Sequence, residues 1–297
     1  MMRMITRVSQ IFIFTALLVG AWSWIPVQAH EPADGEYEAR LTEVKGEVTV
    51  FTVEEPDGVP GDKDMPLVAG DRIKTAADAS AEVTLSGEHC VCLRADSEFT
   101  ITSVKRSGCV LTLALGSLLA KVQTLMTGGD FRIVTPAAVA AVRGTEFGVE
   151  VDVAHPDQTH VGVFDEGRVA VSGQTGQPEL LKANQETSVL RGGRPMSAYQ
   201  LRRFARQRQF MRALRKRVQA VRRDWRALGF EQRSARRREM LQRLKLARAQ
   251  RFQKMQRQEQ QTRHGRNGNR GMGLRPDQEK MERRKRAIRE KLRHPGS

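Results

Sequence analysis

Aromatic side chains are scarce. They make up 5 % of the 297 residues (11 Phe, 3 Trp, 2 Tyr), against 28 % charged, which argues against one large core running through the whole chain. Long hydrophobic runs are absent after the first 30 residues, and that excludes a polytopic membrane protein. The motifs of common catalytic sites are missing as well: no G-x-S-x-G elbow, no P-loop, no G-x-G-x-x-G after a strand, no H-E-x-x-H and no C-x-x-C. The six histidines (His30, His89, His155, His160, His264, His294) are scattered. His155 and His160 flank Pro156-Asp157-Gln158, where a hairpin pair fits better than a metal site. No catalytic, cofactor or metal residue is assigned, and a non-enzymatic protein is expected.

What is present is segregated charge. The chain carries +16 overall, yet residues 30–195 hold 15 basic and 26 acidic side chains while residues 196–297 hold 33 basic and 8 acidic. Ahead of both stands an expected signal peptide, residues 1–29. Arg3 and Arg7 precede an apolar run from Ile11 to Leu18 that continues through Val19, Ala21, Trp22 and Trp24. Pro26 breaks it, and Val27-Gln28-Ala29 offers small residues at −3 and −1. The run is shorter than the ~20 residues that span a bilayer, so cleavage after Ala29, export, and most simply a periplasmic location are expected. Cleavage would leave His30 at the N-terminus, where amine and imidazole chelate copper only generically. Residues 30–39 form an acidic lead.

Export makes a disulfide an option for Cys90, Cys92 and Cys109, with one thiol left over. Cys90 and Cys92 share a face if their segment is a strand, and either could meet Cys109 on a neighbouring strand. Free core thiols are the equal alternative. A metal site with His89 is disfavoured, because alternation puts His89 on the opposite face.

From Leu41 onward apolar residues alternate with period two, as in Val48 and Val50, Val83 and Leu85, Phe99 and Ile101, Val149 and Val151, Val161 and Val163, Val169 and Val171. Turn signals separate the runs, among them Asp57-Gly58, Ser86-Gly87, Ser107-Gly108, Gly128-Gly129, Glu166-Gly167 and Gly192-Gly193. An all-β domain over 40–195 is predicted, either a sandwich or a wound roll of many short strands. Gly70-Asp71 reads as a tight turn with Asp71 bonding backbone amides. Pro136 marks a strand end, and Gly144 marks a bend where a backbone passes closely. Arg143 reads as a structural hydrogen-bond donor ahead of a ligand-binding cation.

These residues also resemble a family. Gly46-Glu47-Val48, then Leu67-Val68-Ala69-Gly70-Asp71-Arg72-Ile73-Lys74-Thr75, then Ala81-Glu82-Val83-Thr84-Leu85 are similar to the FecR domain. So are Val134-Thr135-Pro136 through Val142-Arg143-Gly144-Thr145-Glu146-Phe147, and Val161 through Gly167-Arg168-Val169. The resemblance makes Gly70, Asp71, Thr75, Thr135, Pro136, Arg143, Gly144, Thr145, Phe147 and Gly167 signature positions with structural roles. In iron-transport regulators of this name the domain is the periplasmic part of a signal transducer, behind an anti-sigma segment and a transmembrane helix. Here only the leader precedes the domain, so the resemblance implies a protein- or envelope-binding module, with periplasmic signalling or metal and envelope-stress sensing as the alternative.

After Pro195 helix formers take over. Phe204, Met211, Val218 and Trp225 recur every seven residues, as do Leu214, Val221 and Leu228. A basic helical hairpin or coiled-coil tail is predicted over 196–263, its first helix capped by Gly229 and its two apolar stripes facing each other. A linker (264–276) and a basic helix (277–297) follow. Trp225 to Arg233, echoed by Leu274 to Gln278, resembles the Leu-Thr-x-x-Gln-Arg element of small periplasmic helical-hairpin proteins that act as stress chaperones and metal sensors. Arg236-Arg237-Arg238 and Arg283-Arg284-Lys285-Arg286 are candidate anion-binding runs. Their counter-charge is expected from the acidic β domain, an anionic envelope component or an acidic protein partner, with nucleic acid disfavoured by export.

Overall fold

The computed structural model describes residues 35–268, 280–281 and 283–286. The leader, the first half of the acidic lead, most of the linker and the ends of the last helix lie outside the described residues; residues 280–281 and 283–286 are helical. The strands are β1 Ala39–Lys45, β2 Val48–Phe51, β3 Val59–Pro60, β4 Pro66–Leu67, β5 Arg72–Thr75, β6 Ser80–Leu85, β7 His89–Leu93, β8 Glu98–Lys105 and β9 Gly108–Val122. They continue as β10 Phe131–Val134, β11 Val139–Val142, β12 Thr145–Val151, β13 Gln158–Val163, β14 Val169–Ser172, β15 Glu179–Leu181, β16 Gln185–Leu190 and β17 Tyr199–Gln200. After the strands come the long helices α1 Arg208–Asp224 and α2 Phe230–Gly268.

The strands form two layers joined through β9. One layer runs β3-β2-β5-β8-β9-β10-β11-β14-β15. The other runs β4-β1-β6-β7-β9-β12-β13-β16-β17. The chain passes back and forth between them, so the strand order is that of a wound roll. β9 serves both layers because it bends at Gly116, whose φ is +85° and whose missing Cβ would sit 2.5 Å from the Ser97 Cα. Alternation then fills the space between the layers. Leu41, Val50, Ile73, Val83, Phe99, Leu111, Phe131, Phe147, Val161 and Val171 are all buried there in one cluster.

The helices do not pair stripe against stripe. Met211, Leu214 and Val218 of α1 join Cys90, Cys92, Leu119, Phe164, Leu201 and Phe204 in a second cluster on the outer side of the second layer. Met240, Leu241 and Leu244 of α2 join the main core instead. The expected hairpin is thus replaced by two helices that each pack on the β domain, because the strand layers offer more apolar surface than either narrow helical stripe. Gly229 does not cap α1, which ends at Asp224 with Trp225 extended (ψ 128°). Its carbonyl accepts from the Arg233 amide (2.9 Å), so it opens α2. The β domain also outlasts Pro195, since β17 adds Tyr199–Gln200 to β16.

One contact fixes α1 on its sheet. Gly148 and Gly162 are register partners on β12 and β13, and the Phe204 ring lies over both. A Cβ would meet that ring at 2.6 Å from Gly148 and at 2.5 Å from Gly162. Phe204→Ala should destabilise the protein by about 3–5 kcal/mol, read as a shift of the guanidinium unfolding midpoint. Gly148→Ala should also destabilise, by overpacking the same contact.

Candidate functional site

The outer side of the second layer carries a straight row of register partners: Glu43, Glu82, Cys92, Leu119, Gly148, Gly162, Glu186 and Tyr199. Its middle is apolar or bare backbone, and its ends are acids. A neighbouring row holds Cys90, Lys121 and Glu146. These acids point away from the core, yet Glu82, Glu146 and Glu186 are buried. The cover is the tail, and each acid meets an arginine or amide from it.

Glu146 is fully buried. It accepts from Arg215 Nε (2.6 Å) and Nη2, and Lys121 Nζ lies 3.1 Å from its Oε1. The bonds to Glu146 raise the Arg215 pKa, outweighing partial burial. Glu186 accepts the Arg203 amide at 3.1 and 3.2 Å, while the Arg203 guanidinium reaches Glu150 (2.5 Å) and Asp152 (3.1 Å). Arg217 donates to Glu43 (2.9 Å) and forms an ion pair with Glu82. Burial pushes the Glu82 carboxyl up to about 7; the Arg217 charge pulls against it and nearby Glu43 adds to it.

A second clamp joins α2 to the β4–β5 turn. Arg237 is 6 % exposed and donates to Asp71 (2.7 and 2.8 Å), Glu54 (2.9 and 3.1 Å) and the Pro66 carbonyl (3.0 Å). Every guanidinium N–H therefore has an acceptor. Burial works against the Arg237 charge, but Asp71 and Glu54 outweigh it and raise its pKa further. Glu54 is held at about 2, chiefly by its bond from Arg237. Burial is the largest influence on Asp71 and pushes it up, with Arg237 opposing. A cavity of about 270 Å³ opens beside this clamp, lined by Tyr37, Leu67, Val68, Val104, Phe230 and Arg233 among others. Between the clamps the chain turns over the β domain: Arg40 stacks on the Trp225 ring (4.3 Å), and the Leu228 amide donates to Glu38 (3.1 Å).

The signature residues serve this scaffold. Gly70 (φ +96°) and Asp71 make the expected turn, with Asp71 Oδ2 accepting the Val68 amide at 2.9 Å. Thr75 donates to the Arg94 carbonyl (2.6 Å) and accepts the Ser97 amide (2.9 Å). Thr135 accepts the Ala138 amide (2.9 Å) across Pro136, between β10 and β11. Thr145 ties the Arg168 backbone through two bonds (3.0 and 3.1 Å), and Phe147 is fully buried. A Cβ on Gly144 would lie 2.7 Å from Thr124, and one on Gly167 would lie 2.5 Å from the Gly144 carbonyl oxygen.

The expectation for Arg143 is corrected, and those for the cysteines and the arginine runs are narrowed to one of their alternatives. Arg143 is exposed beside the Gly144 bend and donates no side-chain hydrogen bond among the described residues. Cys90, Cys92 and Cys109 are free buried thiols. Cys90 and Cys92 face α1, whereas Cys109 opens β9 opposite Val104 and packs in the main core, so the disulfide has no geometry to form. Burial pushes Cys92 and Cys109 up to about 12 and also raises Cys90 well above its ordinary value. Of Arg236, Arg237 and Arg238, Arg237 is occupied within the chain and Arg236 sits 3.7 Å from Asp64, leaving Arg238 exposed. Arg283, Arg284, Lys285 and Arg286 are exposed. His89 turns away from both cysteines, packing against Tyr37 and Phe131, and burial lowers it to about 4. Among the described residues no group of His, Cys, Asp and Glu could hold a metal ion.

The molecule is thus a two-layer β module whose outer acids are held by arginines of its own helical tail. The family model described as FecR protein matches residues 71–170. The chain carries a FecR domain, as its signature residues indicate, and Asp71, Glu82 and Glu146 fall inside the matched segment. No curated protein matches the chain. Two crystal structures of a candidate anti-sigma factor from Parabacteroides distasonis are similar to it, each at 21 % identity and a TM-score of 0.38. Each match covers 43 % of this chain and 59 % of that one, so the chain spans under two thirds of those proteins.

Two predictions follow from the clamps. Arg237→Gln strands the buried Asp71 carboxylate and should cost about 3–5 kcal/mol in urea unfolding. Adding Asp71→Asn should recover much of that loss, a coupling a double-mutant cycle reads directly. The second concerns pH. Glu82 binds its proton more tightly folded (about 7) than at its ordinary value of 4.5, so its contribution is full below 4.5 and is lost as pH rises to 7. Buried His89, lowered to about 4, acts with the opposite sign over 4 to 6.5. Comparing melting-temperature profiles of the parent and Glu82→Gln isolates the first effect: the parent's advantage at acid pH should vanish relative to the variant by pH 7.

Proposed function

We propose that the chain is a non-enzymatic signalling or regulatory protein, exported to the periplasm, in which the FecR domain binds a protein partner and the arginine-rich tail controls access to it. The observation that carries this reading is the buried row under α1. A groove with a bare, apolar centre (Leu119, Gly148, Gly162) and acids toward its ends is built to accept a segment bearing an aromatic ring and arginines, and it is filled by the chain's own turn at Arg203 and Phe204 followed by α1. The tail holds it through a narrow apolar stripe and through charge-assisted bonds from arginines about one third exposed, each worth little individually, so the cover can be exchanged without unfolding the core. The FecR match supports the regulatory class. Envelope attachment through the tail is the second reading, favoured by the tail's cations that face away from the β domain.

The test loosens α1 and reads both its docking and its consequence. In the double variant Phe204→Ala/Arg215→Gln, Cys90 and Cys92 should react with a maleimide at least tenfold faster than in the parent at equal folded fraction. In the native host the same variant should change the level of a small, defined set of transcripts. Unchanged transcripts, with the variant present at parental abundance and its thiols exposed, would remove the regulatory reading.

A further inference from the structure

The tail has two electrostatically different sides. Toward the β domain, Arg203, Arg208, Arg215, Arg217 and Arg237 are all bonded to acids. On the opposite side of α1 the arrangement is different. Arg212 and Lys216 lie one turn apart and Arg223 two turns further on, all exposed and all within one stripe of the helix, with Gln219 between them and Gln209 about one turn ahead. Arg202 and Arg206 precede the stripe and are exposed too. Of these five cations only Arg223 has a side-chain partner among the described residues, the adjacent and equally exposed Asp224 at 3.0 Å. The acids that reach α1 and the turn before it bond arginines on the inner side, and among the described residues no β-domain acid pairs with the outer row. Like charges at i,i+4 destabilise a helix, and this row has that spacing at Arg212 and Lys216.

We propose that this outer row docks the protein on an anionic phospholipid surface. Clusters of four to eight cations along a helix suit a plane of lipid phosphates, and α1 lies with its apolar stripe already buried, so its outer side can lie flat without unfolding anything. The rings at the two ends of α1 are turned inward, Phe204 onto Gly148 and Gly162 and Trp225 under Arg40, which leaves the row itself without the run of stacking platforms a single-stranded nucleic acid would use. The docking is independent of the regulatory reading, since it uses residues that leave the groove covered.

The experiment uses the full chain and sedimented vesicles of phosphatidylcholine, alone or with about one third phosphatidylglycerol. Binding should require phosphatidylglycerol and weaken steeply between 50 and about 300 mM salt. The variant Arg212→Gln/Lys216→Gln/Arg223→Gln should bind ten- to about a hundredfold more weakly, with its melting temperature unchanged. A charge-matched control on the β domain, Lys105→Gln/Arg132→Gln/Arg191→Gln, should bind within about threefold of the parent. Equal losses in the two variants would mean that net charge alone acts, and the row would have no role. Binding to phosphatidylcholine alone, or tighter binding to a DNA duplex than to the anionic vesicles at the same salt, would also overturn the proposal. None of these results alters the thiol or transcript readouts of the groove.

Discussion

A carboxylate on the outer face of a β-sheet is ordinarily in water, where its charge costs nothing. In this fold Glu82, Glu146 and Glu186 occupy that face and are nonetheless buried. Burying them bare would be prohibitive, so the fold depends on a cover that brings its own cations. That requirement explains why the tail is rich in arginine rather than lysine. A guanidinium presents a rigid fork of donors and is weakly hydrated, and Arg215 and Arg237 use that fork against Glu146 and Asp71. The acidity of one half and the basicity of the other are two sides of one interface.

The interface is not uniform in strength. The Arg237 clamp has all its donors satisfied and is almost dry, so removing either partner leaves an uncompensated charge. The α1 arginines are about one third exposed, where water screens their pairs. What holds α1 is therefore mostly apolar: Phe204 on its glycine pair, with Met211, Leu214 and Val218 on Cys90, Cys92 and Leu119. Charge chooses the register of α1 and packing supplies the free energy. This division matters for function, because an element held by a modest apolar stripe and screened ion pairs is the part of a fold that opens first.

The β domain was legible in the sequence because period-two alternation and glycine turns are local signals. Val83 and Leu85, or Val161 and Val163, declare their inward face without reference to anything distant. The wound strand order was not legible, since it depends on β9 bending at Gly116 and pairing with different neighbours on either side of the bend. The family-like motif containing Arg143 to Phe147 drew attention to Arg143 and Gly144, while the residue that meets the tail is Glu146. Parity held the clue: with Phe147 inward, Glu146 points out. Glycines in mid-strand at 148 and 162 likewise signalled a close approach, but not by what.

The tail shows the opposite limit. Its seven-residue recurrence correctly marked Phe204, Met211, Leu214 and Val218 as apolar positions, and then invited a partner helix with a matching stripe. A stripe specifies a face to be buried, not the surface that buries it. The sheet already displayed Leu119, Cys92 and two bare glycines in a line, and those competed better for α1 than the sparse apolar residues of α2. Trp225 breaks from the helix to stack on Arg40, and Gly229 then starts α2 rather than ending α1. Charge segregation along the chain carried more information than periodicity here. The excess of acids in one half stated that a cationic surface had to lie against it, and the excess of cations in the other half was larger than that surface could consume.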